Sequence, residues 1–144
     1  MAEKIDLNTL PKGLTKEEFT ALPNFKKIRS FFTWAGVVSI GSGILICSEI
    51  GKTAESVFQA GGSYDDMSRL WAVKLNMLFM IFDIVMGILL LKKKTTKMAY
   101  ILAITELVYI VLVLVLGGTI GIGAIAFLLA LAGAIRIDKK WKQY

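Results

Sequence analysis

The chain has 144 residues, of which 56% are hydrophobic, a larger apolar share than the roughly 45–50% of an ordinary soluble domain. It contains no histidine and a single cysteine, Cys47, which excludes an intramolecular disulfide and argues against zinc sites and histidine-based catalysis. The net charge of +6 comes from Lys and Arg clusters that flank apolar runs, so it predicts helix orientation in a membrane and not nucleic-acid binding.

Residues 1–28 form a polar N-terminal tail of mixed charge, and the first apolar run begins too late to be the core of a cleavable signal peptide. Within the tail, Thr15 and Glu18 have the spacing of a capping box, which predicts a short helix that Pro23 ends. Apolar residues mixed with lysines are typical of a helix on the membrane surface, although a solvated tail fits the same composition. The tail is therefore predicted to carry either a short interfacial helix or no stable structure.

Residues 29–144 form the predicted transmembrane domain, because they contain four apolar runs close to the ~20 residues that cross a bilayer as a helix. We predict spans at about residues 30–49, 71–91, 98–116 and 119–135. An external loop at 50–70 and a cytoplasmic loop at 92–97 connect them, and glycines after residue 116 allow a tight turn between the last two. The predicted fold class is an all-α integral membrane protein built from two helical hairpins.

The distribution of Lys and Arg orients this domain. Fourteen of these residues lie before the first span (the tail and Arg29), in loop 92–97 and after residue 135, whereas loop 50–70 contains two and the glycine turn contains none. The positive-inside rule makes the basic side cytoplasmic, with both termini on that side. We expect a multi-pass protein of the cell membrane, and the lysine bias favours a bacterial cytoplasmic membrane.

Two carboxylic acids interrupt the apolar runs. Asp83 lies nine residues before Lys92 and Glu106 nine residues after Lys97, so each is roughly 13 Å from the same boundary, near the middle of the hydrocarbon core. A central acidic residue costs about 2.5–3.5 kcal/mol on insertion scales, which favours a position inside the bundle with a polar partner. We predict that the two carboxyl groups face each other and share a proton.

Other side chains complete the candidate proton or cation site. Ser39 and Ser42 of the first span lie at a similar depth and could donate hydrogen bonds, and Asn76 shares a helix face with Asp83. Small residues at helical spacing predict close helix packing; they are Ala35, Gly43, Gly87, Ala126, Ala130 and Ala134. The acids have three interpretations: hydrogen bonds that hold the bundle together, a proton- or cation-linked site, or a contact with another subunit.

No nucleotide-binding loop, metal-ligand cluster or nucleophile with a base is present in the sequence, so we expect no enzymatic activity, no cofactor and no metal. The expected function is that of a non-enzymatic membrane subunit or accessory protein acting through helix–helix or loop contacts. The alternative is an oligomeric proton- or cation-coupled small transporter or channel that uses Asp83 and Glu106. Expected partners are the lipid bilayer and a second copy or another membrane protein, and not nucleic acid.

Overall fold

A computed structural model describes residues 5–68, 70–118 and 120–144 of the chain. These residues are mostly helical and contain no strand, which confirms the all-α prediction. Residues 1–4 of the tail, Arg69 of the external loop and Thr119, the predicted start of the fourth span, lie outside the described residues.

The described residues form six α-helices and two short 3₁₀ turns, at Leu7–Thr9 and Pro23–Phe25. The helices are α1 (Lys16–Ala21), α2 (Lys26–Gln59), α3 (Tyr64–Ser68), α4 (Trp71–Lys92), α5 (Thr96–Val115) and α6 (Gly123–Gln143). Helix α1 is the short helix predicted in the tail, and the reciprocal hydrogen bonds between Thr15 and Glu18 are its capping box.

Helices α2, α4, α5 and α6 pack as an antiparallel bundle, in which α2 and α4 make the largest contact. Gly36 of α2 lies against Gly87 of α4, and Gly43 lies against Ile84. A Cβ atom on Gly36 would be 2.9 Å from the carbonyl oxygen of Gly87. The two backbones therefore approach as closely as they do because neither glycine has a side chain.

Helix α6 packs against both α2 and α5 through small residues. Ala126, Ala130 and Ala134 are fully buried along one face of α6, and Gly133 lies against the ring of Phe32. Ala35 of α2 is also fully buried.

In the described part of the chain, three helices are long and apolar enough to cross a membrane, with qualifying segments Pro23–Gln59, Val73–Lys92 and Thr96–Val115. Their outer faces expose large apolar side chains, such as Ile81 and Val85 on α4 and Ile104 and Val111 on α5. An apolar surface of this extent is unusual for a protein in water and suits contact with lipid.

Helix α2 is longer than the predicted span at residues 30–49. It ends at Gln59, and Gly61, two residues later, has a φ of +82° that favours glycine. The N–H of Gly62 donates to the carbonyl of Val57 at 2.9 Å, which completes a Schellman motif. Much of the predicted external loop is therefore helical. Starting a helix is costly but extending one is not, so the long helix that precedes residues 50–59 can continue through these polar residues.

The connection between α5 and α6 is longer than the predicted tight turn. Helix α5 ends at Val115 with a second Schellman motif, in which Gly117 has a φ of +79° and the N–H of Gly118 donates to Val113 at 2.8 Å. Helix α6 begins only at Gly123, because each glycine in a helix interior costs about 1 kcal/mol relative to alanine. The apolar part of α6 spans residues 123–135, about 20 Å of helix, and α6 is not among the three qualifying helices.

The N-terminal tail packs on the C-terminal end of α6. The ring of Phe19, which is fully buried, lies 5.1 Å from Trp141 and 5.0 Å from Tyr144 between ring centroids. Lys16 forms an ion pair with Asp138. The start of the tail and the end of α6 therefore lie together at one end of the bundle, which we call the basic end because Lys92–Lys94 also lie there. The opposite end, with Gly61 and Gly117, is called the distal end.

Candidate functional site

Asp83 of α4 and Glu106 of α5 are both buried inside the bundle, with exposed fractions of 1% and 0%. Their carboxyl groups face each other across the contact between the two helices. Helices α4 and α5 are antiparallel and are joined by only three residues. Residues equally far from this connection, such as Asp83 and Glu106, therefore lie at the same depth in the bundle.

Apart from each other and the adjacent Ser42 hydroxyl, the four carboxyl oxygens of this pair have no hydrogen-bond partner in the described part of the chain. Leaving buried carboxyl oxygens without a donor is costly, and the cost rises when they carry charge. A proton held between the two groups would supply a donor, because a protonated carboxyl group can donate to its neighbour.

The predicted polar neighbours occupy three different positions. The Ser42 hydroxyl lies beside the Asp83 carboxyl group, whereas Ser39 donates to the backbone carbonyl of Asp83 at 2.8 Å and links α2 to α4. Asn76 does not join the pair, because its Oδ1 accepts a hydrogen bond of 3.1 Å from the hydroxyl of Tyr109. Of these three side chains, Ser42 is therefore the one placed to exchange a proton with the acids.

Gly123 brings the N-terminus of α6 to the same place. The Glu106 carboxyl group lies so close to its Cα atom that a Cβ atom there would collide with Oε2 of Glu106 and lie 3.3 Å from the Ser42 hydroxyl. No side chain caps this helix end. The positive end of the α6 dipole therefore adjoins Glu106, where it stabilises negative charge.

A cavity of about 250 Å³ leads from the distal end towards the pair. It lies between α2, α5 and the start of α6; its polar lining includes Glu49, Ser42 and Tyr109, and Val113, Ile120 and Ile122 contribute apolar walls. Glu49 is exposed, while Ser42 and Gly123 are the lining residues that adjoin the carboxyl groups. The cavity thus approaches the acids without exposing them.

Tyr109 and Gly123 are site residues that the sequence analysis did not identify. Tyr109 follows Glu106 by three residues, so helical spacing could have placed it on the same face. Gly123 gave no comparable signal, because its contact with Glu106 depends on the chain folding back into the bundle after α5. Within the described residues no three His, Cys, Asp or Glu side chains are grouped to hold a metal ion.

The fold and the site define a class: an all-helical protein with three helices able to cross a membrane and a carboxyl pair buried between two of them. Comparison with protein-family models, with curated proteins and with solved structures gave no match to this chain. The functional conclusion therefore depends on the chemistry of the site.

Proposed function

We propose that this chain is a non-enzymatic membrane protein that crosses the bilayer four times, with both termini in the cytoplasm, and binds a proton or a small cation at Asp83 and Glu106. It acts as a small proton- or cation-coupled transporter or channel. A bacterial cytoplasmic membrane is its proposed location, because the lysine bias of the basic end matches the positive-inside rule.

The fourth crossing combines α6 with the non-helical residues before it. The apolar part of α6, residues 123–135, covers about 20 Å, and three residues at up to ~3.3 Å each add about 10 Å. The sum matches a hydrocarbon core of about 30 Å. Irregular backbone is tolerated at this depth where it lines a water-filled cavity, and Ile120, Gly121 and Ile122 do line one.

A single observation supports exchange at the pair: its four buried oxygens have no hydrogen-bond partner among the described residues other than each other and Ser42, and a cavity reaches that serine. Acids with a purely structural role would be expected to have their hydrogen bonds satisfied by the protein. An intramembrane ionisable group beside a cavity is typical of ion and proton pathways.

A role as an accessory subunit is the second candidate, and it is favoured by aromatic side chains at the distal end. Phe58, Tyr64 and Trp71 are 51%, 66% and 79% exposed. Such side chains serve equally in an aromatic belt at the membrane surface and in contacts with another membrane protein. In that case a second copy or another membrane protein covers this end, and the acids contribute to assembly.

Proton flux in reconstituted vesicles tests the first candidate. Vesicles with a trapped pH-sensitive dye receive a pH gradient, with potassium and valinomycin to clamp the membrane potential. We expect the wild-type protein to dissipate the gradient, and Asp83→Asn and Glu106→Gln to reduce the rate to that of protein-free vesicles, because neither amide binds a proton at neutral pH.

Thr105→Val is the matched control, because Thr105 adjoins Glu106 on α5 and its hydroxyl donates to the carbonyl of Ile101. Circular dichroism and gel filtration in detergent check that every variant is folded. Absence of acid-dependent flux for the wild-type protein at every imposed gradient would reject the transporter. A change in subunit assembly in the acid variants would then favour the accessory role.

A further inference from the structure

We propose that protons alone reach the Asp83–Glu106 pair, and that they enter from the distal end through the cavity and the Ser42 hydroxyl. This inference rests on the proposed function, since it names the ion and the route for the same site. It also assigns Ser42 as a proton relay and Gly123 as the barrier to larger ions.

The cavity is suited to hold water. Ile120, Gly121 and Ile122 line it, and their N–H groups donate no hydrogen bond to another described residue. Unpaired backbone N–H groups at membrane depth need water or another polar partner. Glu49, Tyr109 and Ser42 add polar atoms to the lining, and a site that is polar and large enough retains water.

The wall between the cavity and the acids admits no ion. Gly123 is in van der Waals contact with the Glu106 carboxyl group, and even a methyl group does not fit between them. Every carboxyl oxygen of the pair is inaccessible to solvent. A metal cation would need a gap that exposes several oxygen ligands, whereas a proton needs only a hydroxyl group that reaches both sides.

Ser42 meets that requirement, because it lines the cavity and its hydroxyl lies beside Asp83. Its Oγ accepts a proton from a hydronium ion in the cavity, while its own hydrogen passes to a carboxylate oxygen of Asp83. One O–H bond forms and one breaks at the serine, a water molecule is left behind, and a single positive charge has moved. The second carboxyl group then shares the proton.

The opposite route is closed by packed apolar side chains. Leu90, Leu102 and Phe32 are fully buried between the pair and the basic end. The Tyr100 hydroxyl, at a similar depth on α5, donates to Asp138 near that end and not to the pair. Protons therefore enter from the distal end, where the cavity has polar lining residues, and not from the basic end, where apolar side chains fill the bundle.

Cysteine labelling tests the cavity independently of transport. In a Cys47→Ser background, Val113→Cys puts a thiol on the cavity wall and Val111→Cys puts one on the 50% exposed outer face of the same helix. We expect a charged, membrane-impermeant methanethiosulfonate to label Val113→Cys from the distal side only. We expect Val111→Cys to stay unlabelled in vesicles, because a thiol in lipid does not ionise readily. Equal labelling of both, or none at Val113→Cys, would overturn the water-filled entry.

Flux measurements test the relay. We expect Ser42→Ala to slow proton uptake strongly, Ser42→Thr to retain it through its hydroxyl, and Ser39→Ala to leave it unchanged, because the Ser39 hydroxyl bonds to the backbone. Sodium and potassium gradients should stay intact with every variant.

An unchanged rate for Ser42→Ala, or sodium movement through the wild-type protein, would overturn the inference while leaving the proposed function standing. Labelling of Val113→Cys, together with no proton flux through the wild-type protein, would overturn both proposals and leave only the cavity.

Discussion

At the scale of single residues, Gly123 determines how closely α6 approaches the acids. Its missing side chain lets the Glu106 carboxyl group and the Ser42 hydroxyl adjoin the helix end. The start of α6, where the helix dipole has its positive end, thereby lies next to the buried Glu106 carboxyl group, which favours negative charge at this point of an otherwise apolar bundle.

We expect Gly123→Ala to displace Glu106, because the new Cβ atom would overlap Oε2 of the carboxyl group. Overpacking of this kind costs about 1–3 kcal/mol of stability, and proton flux should fall even where the protein still folds. Thermal unfolding in detergent and vesicle flux measure the two effects. Gly121→Ala is the control, because nothing lies within 4 Å of a Cβ atom at Gly121. Equal effects of the two substitutions would contradict the role given to Gly123.

The sequence was sufficient to predict that Asp83 and Glu106 meet, because depth and helix order fix their positions. It was not sufficient for the partners of Ser39 and Asn76, which have hydrogen bonds to a backbone carbonyl and to Tyr109. Equal depth along a helix does not determine the direction in which a side chain points. Hydropathy therefore predicts the acids of the site better than it predicts their neighbours.

At the scale of helices, α1 and α6 interact through both apolar and charged groups. Burial would raise the pKa of Asp138, but hydrogen bonds from Lys16 and Tyr100, together with the charges of Lys16 and Lys142, lower it below the ordinary value of 3.8. Its contribution to docking of the tail is therefore complete above about pH 4 and is lost as the pH falls through the lowered pKa, where Asp138 becomes neutral.

We expect Asp138→Asn to weaken docking of the tail at neutral pH by about 1 kcal/mol or less, since the ion pair is partly exposed. The variant should also lose the decrease in docking that the wild-type protein shows in acid. Fluorescence of Trp141, in a background with Trp34→Phe and Trp71→Phe, reports contact with Phe19. Glu17→Gln, an exposed carboxyl on α1, is the control. An acid response that persists in Asp138→Asn would assign it to another group.

Some helix boundaries could be predicted from the sequence and others could not. Apolar runs indicated α4 and α5 nearly to their ends, because lysines and glycines interrupt both runs abruptly. The ends of α2 and the start of α6 differ from the predicted spans, since a helix can continue into polar residues and an apolar run can be non-helical. The docking of the tail had no sequence signal, because it depends on pairing of Phe19 with residues more than 100 positions away.

At the scale of the whole molecule, the position of the tail constrains the number of crossings. Helices α2, α4 and α5 are the three that qualify as spans, and three crossings leave the chain on the side opposite to α1. Yet Phe19 and Lys16, which precede α2, contact Trp141 and Asp138 at the end of α6. The chain can make these contacts in a membrane only if α6 and the residues before it return it to the starting side.

We therefore expect both termini on the cytoplasmic side. In a bacterial host, green fluorescent protein should fluoresce when it is fused to either end, because it folds in the cytoplasm and not after export in unfolded form. Alkaline phosphatase fused after Gly118 should be active, because the proposed topology puts the distal end outside the cell. An inactive phosphatase, or fluorescence from one terminus alone, would contradict four crossings. With three crossings, the tail would have to separate from α6 when the protein enters the membrane. Trp141 would then lie on the opposite side of the bilayer from Phe19 and could not contact it.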